Sequence, residues 1–160
     1  MRLWHKDLIE VLPRQQLLGQ WRELNSIYKK QDKHILINFI YDYDITDIIW
    51  YSTLVYEEMA KRGYKCDAKN FKKRYSMTME TAKCVSIPYD AIFKNKMDER
   101  YLKQCLYNLQ EKYDCGGISQ EEWQKIEDKF WKKLQELAKK ENRSASNFIE
   151  YLIEKWEKGE

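Results

Sequence analysis

The chain has 160 residues, of which 43% are apolar and 34% charged, and its net charge is +3. That is enough apolar material for one domain, or for one domain with a helical appendage. The charge balance does not mark a nucleic-acid binder by itself, so any DNA footprint must come from local clustering of cations. Five glycines and two prolines give too little turn punctuation for an all-β fold. No apolar run approaches the roughly 20 residues of a membrane span, and Met1 to Pro13 carries charges throughout, unlike a signal peptide. The cysteines Cys66, Cys84, Cys105 and Cys115 are spread out with no C-x-x-C pair, which argues against a zinc or iron–sulfur site. A cytoplasmic protein with reduced thiols, no metal and no cofactor is expected.

In chain order, residues 1–12 read as a short extended or turn-like lead. Pro13 suits the start of a helix, where its missing N–H costs nothing. A helix is predicted from Arg14 to about Lys30, with Leu17, Trp21, Leu24 and Tyr28 within about 60° on the wheel. Gln15, Gly19, Arg22, Glu23 and Ser26 form its polar face. Gly19 is either a permissive surface position or a place where another backbone or a ligand comes close. Residues 31–43 contain an apolar, β-branched run that is either a short strand or the lead into the next helix. His34 within it reads as a core or phosphate-contacting histidine.

Asp44 or Thr46 is the expected N-cap of a helix through Ile48, Tyr51, Val55 and Met59, with Gly63 as its stop. Cys66 to Phe93 has no clean period and reads as loop with short helical pieces. Asp98 caps a helix through Leu102, Cys105, Leu106 and Leu109, followed by Gly116-Gly117. Ser119-Gln-Glu-Glu122 is a capping box that opens a helix carrying Trp123, Ile126, Phe130, Leu134 and Leu137. Asn142-Arg-Ser144 breaks that helix, and a last one carries Phe148, Ile149, Leu152, Ile153 and Trp156. The fold class is all-α. Two parts are expected: residues 1–117 as a compact helical domain, and residues 118–160 as a C-terminal helical hairpin packed on it.

The opening residues carry the chemistry. An α-amino group has a pKa near 7.7–8.0, so close to neutrality a useful fraction is uncharged and nucleophilic. Such an amine, one carboxylate on a helix and nearby cations are enough to open a glycosidic bond in DNA through an imine, with no metal.

Met1-Arg-Leu-Trp-His5, Leu12-Pro-Arg-Gln-Gln-Leu-Leu-Gly-Gln20 and Arg22-Glu-Leu24 resemble the start of phage endonuclease V and its bacterial relatives. These are pyrimidine-dimer DNA glycosylases with AP-lyase activity. Glu57-Glu-Met-Ala-Lys-Arg-Gly-Tyr64 and Tyr101-Leu-Lys-Gln-Cys-Leu-Tyr-Asn-Leu109 are similar to later parts of the family. The resemblance spans about residues 1–113, most densely the first 24. It implies a compact helical domain of the endonuclease V type and double-stranded damaged DNA as the partner. It also implies Met1 as the amine nucleophile, Glu23 as the catalytic carboxylate, and Arg2 and Arg22 on phosphates. Arg14, Gln15 and Lys33 complete the implied DNA-binding set. The runs Lys29-Lys30 and Lys72-Lys73-Arg74 could track a DNA backbone or be solvated patches.

The chain departs from the phage pattern in three places. Arg2 should block removal of the initiator, so Met1 itself stands where the phage enzyme exposes a threonine amine. Gln16 replaces a histidine, and the phage protein's C-terminal aromatic and basic segment has no counterpart. His5, Trp4 and Trp21 are expected in structural roles. Residues 134–156 resemble the helix pair of ribbon-helix-helix DNA-binding proteins, but the position of the reading strand is helical here. They are therefore expected to pack or dimerise rather than read sequence; the chain as a whole is expected to be a monomer. Two other functions compete: a non-catalytic DNA-binding or regulatory helical protein, and an enzyme of another class that uses the Arg22-Glu23 face on a small substrate.

Overall fold

The computed structural model describes residues 2–29, 34–66 and 87–140. All regular elements among the described residues are helical, as the sequence predicts, and the chain divides into two compact units, Met1–Ile118 and Ser119–Glu160. In the first unit an extended stretch over residues 2–5 leads into a 3-10 turn, Lys6–Val11. Helix α1 spans Arg14–Lys29, α2 Ile45–Lys61 and α3 Glu99–Asp114. Short 3-10 turns cover Asn38–Asp42 and Tyr89–Ala91. The second unit contains α4, Gln120–Lys140.

Helix α1 begins directly after Pro13, whose carbonyl accepts the first helical bond from Leu17 N at 3.0 Å. The cyclic residue thus sits where a backbone donor would have had no helical partner. Leu17, Trp21, Leu24 and Ile27 are buried, and this face packs against α2, with Trp21 and Tyr56 rings 5.9 Å apart. Tyr28 lies among side chains outside the described set. The apolar positions read for α2, Ile48, Tyr51, Val55 and Met59, are all buried. Asp44 is its N-cap, its carboxylate accepting from Thr46 N at 2.8 Å. Gly63 ends it with φ +73°, a left-handed conformation that glycine adopts without a Cβ penalty.

Asp98 caps α3 by accepting from Tyr101 N at 2.8 Å, and Leu102, Cys105 and Leu109 are buried. The residues just before this helix are tied to α2. Phe93 has φ +49°, uncommon for a bulky side chain. Its N–H donates to the buried Asp47 carboxylate, and its ring packs edge-on to Phe39 and Tyr43 at 5.4 and 5.3 Å between centroids. Burial of the ring and the Asp47 bond hold a backbone conformation that a free chain would avoid.

Three expectations need adjustment. The run after α1 forms no strand among its described residues: 34–37 is a turn and Asn38–Asp42 a 3-10 turn. Ile37 and Ile40 are buried there, but Ile35 is 84% exposed, so the apolar, β-branched run forms a turn that buries every third residue. His34 is exposed rather than core, and its Nδ1 accepts from Leu36 N at 3.2 Å. In α4 the capping box forms, with Ser119 and Glu122 bonding reciprocally at 3.3 Å, and Ile126 is buried, yet Phe130 is 39% exposed. The last helix of the predicted hairpin, the Lys72-Lys73-Arg74 run and Cys84 lie outside the described residues.

Candidate active site

Apart from the His5 carbonyl, which accepts from Leu8 N at 2.9 Å, residues 2–5 lie outside the helices, yet Leu3, Trp4 and His5 are all buried. A buried extended backbone must find partners for its N–H and C=O groups, and here side chains from three helices supply them. Trp4 N donates to Gln20 Oε1 of α1 at 2.8 Å. Trp4 O accepts from the Tyr51 hydroxyl of α2 at 2.7 Å. Leu3 O accepts from the Tyr101 hydroxyl of α3. Arg2 reaches Gln104 O of α3 at 3.5 Å. The next turn is tied as firmly. Arg62, from the Lys-Arg-Gly-aromatic patch, donates to Leu12 O at 2.6 Å and Glu10 O at 2.8 Å, and pairs with Glu58 at 2.6 Å. The lead into α1 is therefore held down from the far end of α2.

Glu23 lies one turn beyond Gln20 on α1 and is half-buried. Burial first, then Cys105, pushes the Tyr101 phenol well above its ordinary range; Arg2 opposes this and Glu23 adds to it. Both charges therefore lie within electrostatic reach of the hydroxyl that holds Leu3. The fully buried Tyr51 phenol is also raised, by desolvation first, with Glu23 among the charges acting on it. Burial likewise raises the Cys105 thiol, with the His5 backbone N–H and Arg2 pulling the other way. Tyr51, Tyr101 and Cys105, all raised chiefly by burial, thus stay neutral, and Glu23 and Arg2 both act on the ionisation of Tyr101.

The other predicted DNA-facing side chains divide. Arg14, Gln15 and Arg22 are exposed on α1. Arg22 Nε donates to Leu18 O at 3.2 Å, and the Arg14 guanidinium lies 5.9 Å from the Tyr64 ring centroid, within cation–π range. Gly19 lies on the same polar face, and a Cβ added there would meet nothing within 4 Å among the described residues, so none of their contacts requires glycine. Met1 and Lys33 lie outside the described residues, as does Lys30 of the Lys29-Lys30 run. Trp4, Trp21 and His5 are buried, and His5 Nδ1 accepts from Asp7 N at 3.2 Å, so all three have the structural roles expected of them.

Sequence reasoning overlooks the polar ties. Gln20 is 1% exposed and sits only about 60° from Leu17 on the wheel. A glutamine on the flank of an apolar stripe was the available signal. Tyr51 reads as a core ring and Tyr101 only as part of a family-like stretch, and nothing local tells that their hydroxyls serve another segment's backbone. Among the described residues, no cluster of His, Cys, Asp and Glu could hold a metal, and no helix is long and apolar enough to cross a membrane.

The fold and this site define a class: a small helical domain that buries residues 3–5 and bears one carboxylate, Glu23, and two exposed arginines, Arg14 and Arg22, on its first long helix. Residues 1–72 match the family model described as pyrimidine dimer DNA glycosylase, so the family resemblance carried by the opening residues holds. The match supports DNA glycosylase as the general activity and DNA as the partner. No curated protein and no solved structure matches the chain.

Proposed function

We propose that the protein is a DNA-repair glycosylase with AP-lyase activity that excises a damaged base, of the pyrimidine-dimer type, from double-stranded DNA. The observation that carries this reading is the pairing of the family match over residues 1–72 with the buried ties that lead the first residues along α1. In this reading Met1 supplies the nucleophilic amine. Its lone pair forms a bond to the deoxyribose C1′ as the C1′–N bond to the base breaks, and the base leaves with that electron pair and a proton. Opening of the sugar ring gives an iminium, which acidifies the C2′ proton. Glu23 removes that proton, and the electron pair moves to expel the 3′ phosphate by β-elimination. Arg2 and Arg22 neutralise flanking phosphates, with Arg14, Gln15 and Lys33 extending the contact. Reaching the sugar requires distorting the duplex, which costs a few kcal/mol and least where a lesion already weakens stacking.

Blocking the amine tests this directly. Protein with an intact Met1, verified by mass spectrometry, is compared with the same protein carrying an acetylated N-terminus. Base excision and strand cleavage on a dimer-containing duplex should fall at least 100-fold on acetylation, while duplex affinity changes little. Equal excision by both forms would remove the amine from the mechanism. Salt-sensitive DNA binding with no excision by either form would point instead to a non-catalytic DNA-binding protein.

A further inference from the structure

Gln20 presents an unusual account of its hydrogen bonds. Its side chain is 1% exposed. Oε1 accepts from Trp4 N at 2.8 Å and lies 3.0 Å from the Tyr51 hydroxyl, whose single proton is shared between it and Trp4 O at 2.7 Å, whereas Nε2 is buried with no hydrogen-bond partner among the described residues. The amide cannot simply be turned over, because the Trp4 N–H needs an acceptor and Nε2 has none to offer. The position therefore bears a buried, unsatisfied donor, a cost that leucine or methionine would avoid. In exchange it holds one thing that an apolar residue cannot: the register of Trp4 along α1.

That register bears on the proposed chemistry. Gln20 and Glu23 lie on one side of α1, one turn apart, since residues three apart on a helix are neighbours. The tie fixes residue 4, three residues from the terminal amine. A slip of one residue in an extended segment moves its end by about 3.3 Å. Reaction by an amine needs placement much finer than that; a misplacement of about 1 Å can cost around 100-fold in rate. Resting on the function proposed above, we infer that Gln20 is a positioning residue: with the Tyr51 hydroxyl, it sets the register of the N-terminal segment and so the place of the amine relative to Glu23. It does not touch the substrate.

The test uses the full chain with a verified free Met1, an abasic duplex and borohydride to trap the imine. Gln20→Leu should fold, bind the duplex within about threefold of the unmodified protein, and trap at least tenfold more slowly in single turnover. Gln20→Glu is nearly isosteric and keeps an acceptor for Trp4 N, and burial favours its neutral, protonated form, so it should recover at least a third of the original rate. A role confined to filling the core would show the opposite order. If Gln20→Leu does not fold, Tyr51→Phe, which removes one hydroxyl, should slow trapping severalfold with affinity intact.

A second readout needs no DNA: the chemical shift and titration of the terminal amine, followed by NMR after 13C reductive methylation. These should move toward those of an unconstrained terminus in Gln20→Leu. Trapping at the original rate by a folded Gln20→Leu, or by Tyr51→Phe where the first variant is unfolded, overturns the inference. If the unmodified protein traps nothing, the proposed function fails. The amine titration then decides Gln20 alone, and identical curves overturn its positioning role.

Discussion

Ser119 and Trp4 both mark places where the chain must satisfy backbone polar groups outside a helix, and they do it in opposite ways. At Ser119 the partner is three residues away: the Glu122 carboxylate and the Ser119 hydroxyl complete a capping box. Further along α4 the pairs are again local, Trp123 to Glu127 at 2.9 Å and Gln124 to Asp128 at 3.2 Å. At Leu3 and Trp4 the partners are Gln20, Tyr51 and Tyr101, drawn from three helices. The first arrangement needs only its own helix to form. The second exists only once the whole first unit has assembled, which suits a segment whose position matters rather than its shape.

The sharpest way to break this contrast is chemical. Glu23→Gln keeps the size of the side chain and removes the base, so single-turnover excision should fall by about 100- to 10,000-fold, with duplex affinity within a fewfold. Excision at the unmodified rate would reduce Glu23 to a surface charge and leave the first unit with no catalytic advantage over the second.

Leu17→Ala tests the packing beneath the segment. Leu17 is fully buried on the face of α1 that meets α2, and its truncation should cost about 2–5 kcal/mol, read from denaturant midpoints at constant slope. A cost below about 1 kcal/mol would mean that α1 is not seated as described.

The buried phenols give a pH signature. The folded-state pKa values of Tyr51 and Tyr101 are raised, chiefly by burial, so the unfolded chain loses these protons first, near the ordinary tyrosine value of about 10. Above that pH the unfolded state binds fewer protons than the folded one. Stability should therefore be complete below about pH 10 and decline as pH rises, by at most about 1.4 kcal/mol per pH unit per group. Tyr51→Phe should flatten the decline, as measured by denaturant unfolding from pH 8 to 11. An unchanged slope would contradict burial of that hydroxyl.

The smallest effect is expected at the local end. Ser119→Ala should cost about 1 kcal/mol in the stability of α4 and leave excision unchanged. A loss of excision on that substitution would show that the two regions are not separable as described.

The same contrast explains how much could be read from the residues alone. Asp98, Gly63 and the Ser119–Glu122 box were legible, and Asp44 as one of two candidates, because caps and stops are decided within four residues. The core faces of α1 and α2 were legible because their period is regular. The 34–42 segment was not, since a short β-branched run fits a strand or a turn equally until its burial pattern is known. Burial of Gln20 and the tasks of the Tyr51 and Tyr101 hydroxyls were not legible either, because their partners lie 16, 47 and 98 residues away. At the site, family likeness identified Arg2, Arg22 and Glu23 as residues to watch, whereas the means of fixing the N-terminal segment became visible only in three dimensions.

The measurement that bears most directly on the account is borohydride trapping, with mapping of the cross-linked residue. Protein with a verified free Met1 is incubated with duplexes carrying a cyclobutane pyrimidine dimer or an abasic site, reduced, resolved on a denaturing gel and analysed by peptide mass spectrometry. The account predicts a covalent adduct at the Met1 amine on both duplexes. An adduct on a lysine, or no adduct on either duplex, would contradict it.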